Sequence, residues 1–273
     1  MRAALRVLLN GYDYLVLYLG LTWLGILCLA WTPIAMMIYP LLSERRGQAL
    51  GRYVIMMAFR LYLASLSMSL RCSFDLEALD VLRDEPSLIL APNHPCLLDA
   101  VMVISRLPNV ACVLKANLMN NIFLGAGARL ARYIRNEPVR RMVKLATKDF
   151  DCGSHLLLFP EGTRTTACPV NPLKGSIGLI ANYAQVPVQT ILIETDSAYL
   201  SKGWSLFRKP PMPIHYRVRL GRRFDPPQHT QRFMEELEHY FANELVQGSA
   251  FYPAHSLLKQ ADRTLDLTSR TPS

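Results

Sequence analysis

The sequence predicts an α/β domain, a helix-covered mixed or mainly parallel sheet, preceded by a hydrophobic two-helix membrane anchor. Three observations carry this expectation. Residues 14–42 contain no charged side chain, and a second apolar stretch, residues 53–70, carries only Arg60. Beyond residue 70, short runs such as Leu88-Ile89-Leu90-Ala91 and Leu156-Leu157-Leu158-Phe159 are apolar at every position, as strands buried on both faces tend to be. Such runs alternate with helix-length stretches, the pattern of an α/β layer architecture.

The first run exceeds the ~20 apolar residues that cross a bilayer. Tyr14, Tyr18, Trp23, Trp31 and Tyr39 are spaced along it, Pro33 and Pro40 interrupt it, and Gly47 and Gly51 separate it from the second stretch. The pair reads as a helical hairpin, or as one spanning helix followed by a helix at the interface. A cleaved signal peptide fits less well: Arg2 and Arg6 supply a basic start, but the run is too long and no small-residue cleavage site ends it. Arg2 and Arg6 precede the run, and Arg45, Arg46 and Arg52 follow it. Positive charge at both ends suits a hairpin whose ends both face the cytoplasm. The expected organisation is an anchor over residues 1–68, a catalytic domain over 69–250 and a polar tail over 251–273.

Within the domain, strands are expected at residues 69–74, 87–92, 110–114, 155–159, 186–193 and 214–220. Helices are expected at 96–106, 138–150, 176–184 and 231–245. No internal repeat is visible. A formal charge of +9 in 273 residues favours an anionic partner, either phosphate groups or an anionic membrane surface. The basic residues sit in no nucleic-acid recognition pattern, so nucleic acid is not an expected partner. Six cysteines show no CxxC spacing and read as free thiols in a reducing compartment.

The most informative stretch is Pro92-Asn93-His94-Pro95-Cys96-Leu97-Leu98-Asp99, which follows a strand and opens a helix. Pro95 forbids helical geometry at His94 and suits the first helical position itself. His94 is thereby held on a turn at the C-terminal edge of the sheet, where α/β proteins bind ligands. Asp99, about one turn into the helix, can accept the imidazole N–H and stabilise the imidazolium, which makes the pair a general base for a hydroxyl. A helix-capping histidine is the alternative reading of these residues alone. Cys96 is not expected to act as a covalent nucleophile, since its neighbours Leu97 and Leu98 read as packing residues.

The second stretch is Phe159-Pro160-Glu161-Gly162-Thr163-Arg164. Pro160 stops the strand, and Gly162 permits a tight turn near a ligand. Thr163 and Arg164 offer a hydroxyl and a forked cation to a phosphate, whereas Glu161 reads as an orienter of neighbouring donors. Asn93, Lys115, Arg135 and Lys174 are further possible substrate-binding residues. No G-x-S-x-G elbow and no H-E-x-x-H pair occurs, so neither a serine nucleophile nor a metal is expected, and no cofactor.

Asn93-His94-x4-Asp99, then Phe159-Pro160-Glu161-Gly162-Thr163-Arg164, then Val186-Pro187-Val188, resembles the glycerolipid acyltransferase family, which includes the 1-acyl-sn-glycerol-3-phosphate acyltransferases. The likeness covers roughly residues 70–220. It implies that His94 is the general base and Asp99 its partner. It also implies that the loop of Glu161, Gly162, Thr163 and Arg164 binds the acceptor phosphate, and that transfer is direct, without an acyl-enzyme. The implied donor is acyl-CoA or acyl carrier protein, and the implied acceptor a lysophospholipid. Location would be a bacterial-type inner membrane, with the catalytic domain on the cytoplasmic side and membrane lipids as neighbours.

Departures from the family pattern bear on the acceptor. The nearest match to the second family motif is Tyr133-Ile134-Arg135 within residues 127–136, with the arginine directly after the pair. Pro95 and Cys96 stand where a polar pair is common, and Gln189 and Thr190 follow Val188. Lysophosphatidic acid is the first expectation for the acceptor. Another lysophospholipid, an amino-acid lipid or a lipid anchoring a specialised carrier-bound acyl chain is the alternative. A catalytically inactive membrane-anchored binding protein is a third reading.

Overall fold

The structure, a computed structural model, describes residues 2–136, 138–167 and 169–247; the expected tail over 251–273 and Cys168 lie outside the described residues. Two long helices come first, α1 (Arg2–Ile38) and α2 (Glu44–Met68). The strands are β1 (Cys72–Asp75), β2 (Ile89–Pro92), β3 (Val110–Leu114), β4 (Ile134–Arg135), β5 (His155–Leu157), β6 (Val188–Thr195) and β7 (Ile214–Phe224). Between and after them lie α3 (Asp99–Ile104), α4 (Ala116–Met119), α5 (Gly125–Leu130), α6 (Val139–Phe150), α7 (Ser176–Ala184) and α8 (Thr230–Gln247). A 3₁₀ segment, Glu77–Leu82, follows β1.

One seven-stranded sheet has the order β1-β7-β6-β2-β5-β3-β4. From β6 to β4 every pairing is parallel; β7 turns antiparallel to β6, and β1 runs parallel to β7. The expected mainly parallel sheet is present, with one antiparallel pairing. Period-two alternation divides the core into two layers. Leu90, Cys112, Leu157, Ile191 and Ile193 face α2, α3 and the 3₁₀ segment. Ile89, Ala111, Leu156, Val188 and Leu192 face α6, α7 and α8. Both faces being covered explains why the central strands are uninterrupted apolar runs.

Both N-terminal helices are long and apolar enough to cross a bilayer, by length and composition. At 1.5 Å per residue, α1 is about 55 Å long. Each helix nevertheless lies against the domain over much of its length. Near the start of α1, buried Asp13 pairs with Arg71 at 2.5 Å and with Lys209 at 3.2 Å. At the far end, Arg132 donates to the Tyr39 hydroxyl at 3.0 Å, and Lys148 pairs with Glu44 at 2.7 Å. The outward side of α1 exposes Leu8, Leu15, Leu19, Ile26, Leu29 and Met37. The two helices are candidate membrane anchors that offer one apolar side to a bilayer.

Glycine sets the closest approach. A Cβ at Gly51 would stand 2.7 Å from the Ala131 nitrogen and 2.9 Å from its Cα, both backbone atoms that cannot move aside. This tight crossing corrects one expectation. Arg52 is not a membrane-flanking charge: it is 1% exposed and bonded to the Ala131 carbonyl (3.1 Å), Asn109 (2.9 Å), Ser154 (2.7 Å) and Asp149 (3.0 Å). The close approach at Gly51 carries the next side chain into the protein.

Candidate active site

Because β2, β5, β3 and β4 are parallel, the segments leaving their C-terminal ends gather along one edge. Asn93 and His94 leave β2, Phe159 to Arg164 follow β5, Lys115 follows β3, and Arg135 ends β4. Neighbouring strands stand about 4.8 Å apart, so this edge is graded by distance from His94.

The turn after β2 departs from expectation in one respect. The helix begins at Asp99 rather than at residue 96, and residues 95–98 form an open turn. Asp99 Oδ2 reaches back to accept the Cys96 N–H at 2.9 Å, which satisfies a donor of the turn ahead of the helix. The same oxygen stands 2.7 Å from His94 Nδ1. An ionised carboxylate only accepts, so Nδ1 carries the proton, and whenever the imidazole is neutral the lone pair is on Nε2. Asp99 is fully buried while the His94 side chain keeps 17% exposure, so the imidazole meets solvent and its partner does not. Burial pushes the Asp99 carboxyl up, against the lowering pull of His94 and Cys96.

The loop after β5 fixes His94 from the other side. Buried Glu161 accepts the His94 backbone N–H at 3.0 Å and the Thr165 hydroxyl at 2.7 Å through Oε1, and the Asn171 N–H at 3.0 Å through Oε2. Thr165 N–H returns to the His94 carbonyl at 2.7 Å. Phe159 stacks on the imidazole with centroids 3.9 Å apart. Burial pushes the Glu161 carboxyl up, countered by Thr165, Asn171 and His94.

Gly162 adopts φ +67°, a conformation L side chains rarely take, and an added Cβ would stand 3.2 Å from Lys174 Cγ. Lys174 and Thr163 therefore lie at the same loop as Glu161. Arg164 Nη1 donates to the carbonyls of Leu200 (2.8 Å) and Ser201 (2.9 Å), tying the segment between β6 and β7 over the site. Leu200 holds φ +58° and its carbonyl also accepts Leu97 N–H at 3.1 Å, so two donors fix a strained residue there.

Other sequence candidates lie farther off or serve the frame. The Asn93 amide bonds both backbone groups of Ile193 across β6, at 2.7 and 3.0 Å. Lys115 and Arg135 are exposed on the same edge, two and three strands from β2, about 10 and 14 Å away. Sequence reasoning missed Thr165, Asn171, Leu200 and the role of Cys96, whose sulfur stands 2.9 Å from Asp99 Oδ1. No sequence signal marks Asn171 or Leu200. For Cys96 the signal was its position three residues before Asp99. Leu97, read as packing, is 53% exposed.

The arrangement provides a half-buried imidazole, a buried carboxylate on its Nδ1 and a polar loop beside it. Among the described residues no group of three or more His, Cys, Asp or Glu side chains could hold a metal. Residues 73–194 match the model of the Acyltransferase family. In structure the chain is similar to the 1-acyl-sn-glycerophosphate (LPA) acyltransferase PlsC from Thermotoga maritima, with a TM-score of 0.64 over 90% of this chain and 98% of that chain. Identity to it is 17%, a likeness of fold. No curated protein matches this chain in sequence.

Proposed function

We propose that this chain, which matches the Acyltransferase family model over residues 73–194, moves a fatty acyl group from a thioester to the hydroxyl of a lysophospholipid, 1-acylglycerol-3-phosphate first among them. The observation that carries the reading is the His94–Asp99 contact of 2.7 Å, with the imidazole at the solvent side and the carboxylate buried.

In this reading Nε2 of His94 takes the proton of the acceptor hydroxyl as its oxygen attacks the thioester carbonyl. The tetrahedral intermediate collapses with loss of the thiolate, and the imidazolium returns the proton to that sulfur. Asp99 keeps Nδ1–H in place and offsets the transient positive charge. A thioester has a good leaving group, so activating the hydroxyl is the main task, and an acyl-enzyme is unnecessary. Cys96 is a poor nucleophile in any case, since burial and the Asp99 charge push its thiol well up.

Thr163, Gly162, Lys174 and Arg164 form the proposed acceptor-phosphate site, with Glu161 as its internal brace. Because Arg164 spends Nη1 on Leu200 and Ser201, a phosphate would meet the rest of the guanidinium. The dyad turn faces the anchor: Leu98 shares a small apolar cavity with Leu17, Tyr62, Leu66, Tyr199 and Tyr216. A lipid could therefore reach His94 without leaving the bilayer surface. The proposed location is the cytoplasmic face of a bacterial-type inner membrane, where acyl-CoA and acyl carrier protein are available.

The test is thiol release from acyl-CoA and from acyl carrier protein by the detergent-purified chain, with and without lysophosphatidic acid, beside His94→Ala. Release that requires lysophosphatidic acid and vanishes in His94→Ala supports the reading in full. Release only with a total lipid extract moves the acceptor to another lipid. Wild-type turnover by His94→Ala would sink the mechanism.

A further inference from the structure

Both oxygens of Asp99 are held by one residue. Oδ2 accepts the Cys96 backbone N–H at 2.9 Å while bonding His94, and Oδ1 stands 2.9 Å from the Cys96 sulfur. Cys96 is 1% exposed and Asp99 fully buried, so neither contact competes with solvent. We propose that Cys96 is a positioning residue of the base: its N–H and thiol fix the carboxylate, and the thiol governs how much of the Asp99 charge is left to His94. The inference rests on the proposed role of His94 and adds the residue that adjusts it.

The physical reason lies in donor strength. A thiol is a weak hydrogen-bond donor, a hydroxyl a stronger one, and a methyl group none. A hydroxyl at position 96 would draw charge toward Oδ1 and weaken the hold of Oδ2 on the imidazolium. A methyl group would leave more of the charge to His94. The basicity of His94 should therefore fall in the order Cys96→Ala, wild type, Cys96→Ser. Among the described residues, the other titratable groups facing this cluster are Glu161 from the β5 loop, Tyr199 from the segment before β7 and Tyr216 on β7, with Cys72 on β1 beside the two tyrosines. All are common to the three proteins, so a difference between them reports on position 96.

The experiment is a titration of the full chain in detergent micelles by NMR, with histidine labelled at the ring carbon and the His94 signal assigned by its loss in His94→Ala. It requires no substrate. The expected result is a midpoint raised by about half a unit in Cys96→Ala and lowered by about half a unit in Cys96→Ser. Coincident midpoints, or a shift of both variants in the same direction, would assign Cys96 to packing and overturn the inference. Serine nearly preserves the volume, so should Cys96→Ala not fold, the serine variant alone decides: a midpoint not below wild type overturns it. Turnover of His94→Ala is measured alongside. An active His94→Ala removes the base reading, whereas an inactive one with coincident midpoints removes only the role of Cys96.

Discussion

Glu161 Oε1 stands 3.0 Å from the backbone nitrogen of His94, so a buried carboxylate on one loop fixes the main chain of the histidine on another. The return bond from Thr165 N–H to the His94 carbonyl closes the link at 2.7 Å. Neither His94 nor the loop can shift without breaking bonds in the other.

Glu161→Gln should therefore act on turnover. The carboxylate accepts at both oxygens; an amide would set a donor against either the His94 and Thr165 donors or the Asn171 N–H. A mispaired buried group costs about 1–3 kcal/mol of stability. A base displaced by about 1 Å loses on the order of 100-fold in kcat. Steady-state kinetics and a thermal unfolding curve check both. A rise in KM at unchanged kcat would instead mean that Glu161 touches the acceptor directly.

How much of this was legible in the sequence depended on whether a residue's role is local. β3 and α7 begin and end where expected, because pattern and punctuation are local there. The helix over 96–106 shortened to Asp99–Ile104, and the N–H groups of Cys96 and Leu97 go instead to the Asp99 carboxylate and the Leu200 carbonyl, partners that only the folded chain brings up. α5 and β4 escaped notice since six and two residues carry too little periodicity to read. His94, Asp99 and the Glu161 loop were legible as motifs, yet the bonds joining them link positions 67 apart in the chain. Arg52 misled because a charge after an apolar run looks like a membrane flank, and only the crossing at Gly51 shows that it faces inward.

Arg52→Met should be among the most damaging changes outside the site. Arg52 and Asp149 pair at 3.0 Å with Arg52 fully enclosed, and Gln48, Asn109 and Ser154 complete the network. Removing one partner of a buried pair costs about 3–5 kcal/mol because the other charge is left uncompensated. Arg52→Met with Asp149→Leu should recover part of this loss. Unfolding midpoints of the two variants measure it; a single variant as stable as wild type would show that the charge is not needed there.

His155 should make stability depend on pH. Its Nδ1 accepts the Leu88 N–H at 3.2 Å and its Nε2 donates to the Leu82 carbonyl at 2.9 Å, so protonation at Nδ1 breaks a bond. Burial holds the imidazole below its ordinary value of 6.5. Between the two values the unfolded chain binds the extra proton and the folded chain does not. This contribution to stability is therefore complete above about pH 6.5 and declines as pH falls through the range down to the folded value. His155→Gln, which cannot titrate, should flatten the acid side of a plot of unfolding midpoint against pH. Identical slopes in both proteins would remove His155 as the cause.

The anchor yields the last prediction. A hairpin spanning the bilayer would carry its turn across a hydrocarbon core about 30 Å thick, away from the domain. Here the turn stays with the domain. Its exposed Lys148–Glu44 pair counts for little, but packing holds it: a Cβ at Gly127 would stand 2.9 Å from the Trp31 ring, and Gly51 meets the Ala131 backbone as closely. The hairpin should lie along one membrane face rather than cross. Ser43, exposed between the helices, tests this when changed to cysteine in a background with Cys152 and Cys168 replaced by serine. Exposed Cys152, kept in a second protein, marks the domain side. An impermeant maleimide applied to sealed vesicles of each orientation should reach both positions from the same face. Labelling of Ser43→Cys only from the face opposite Cys152 would mean that α1 and α2 cross the bilayer, and that the packing against α5 is lost on insertion.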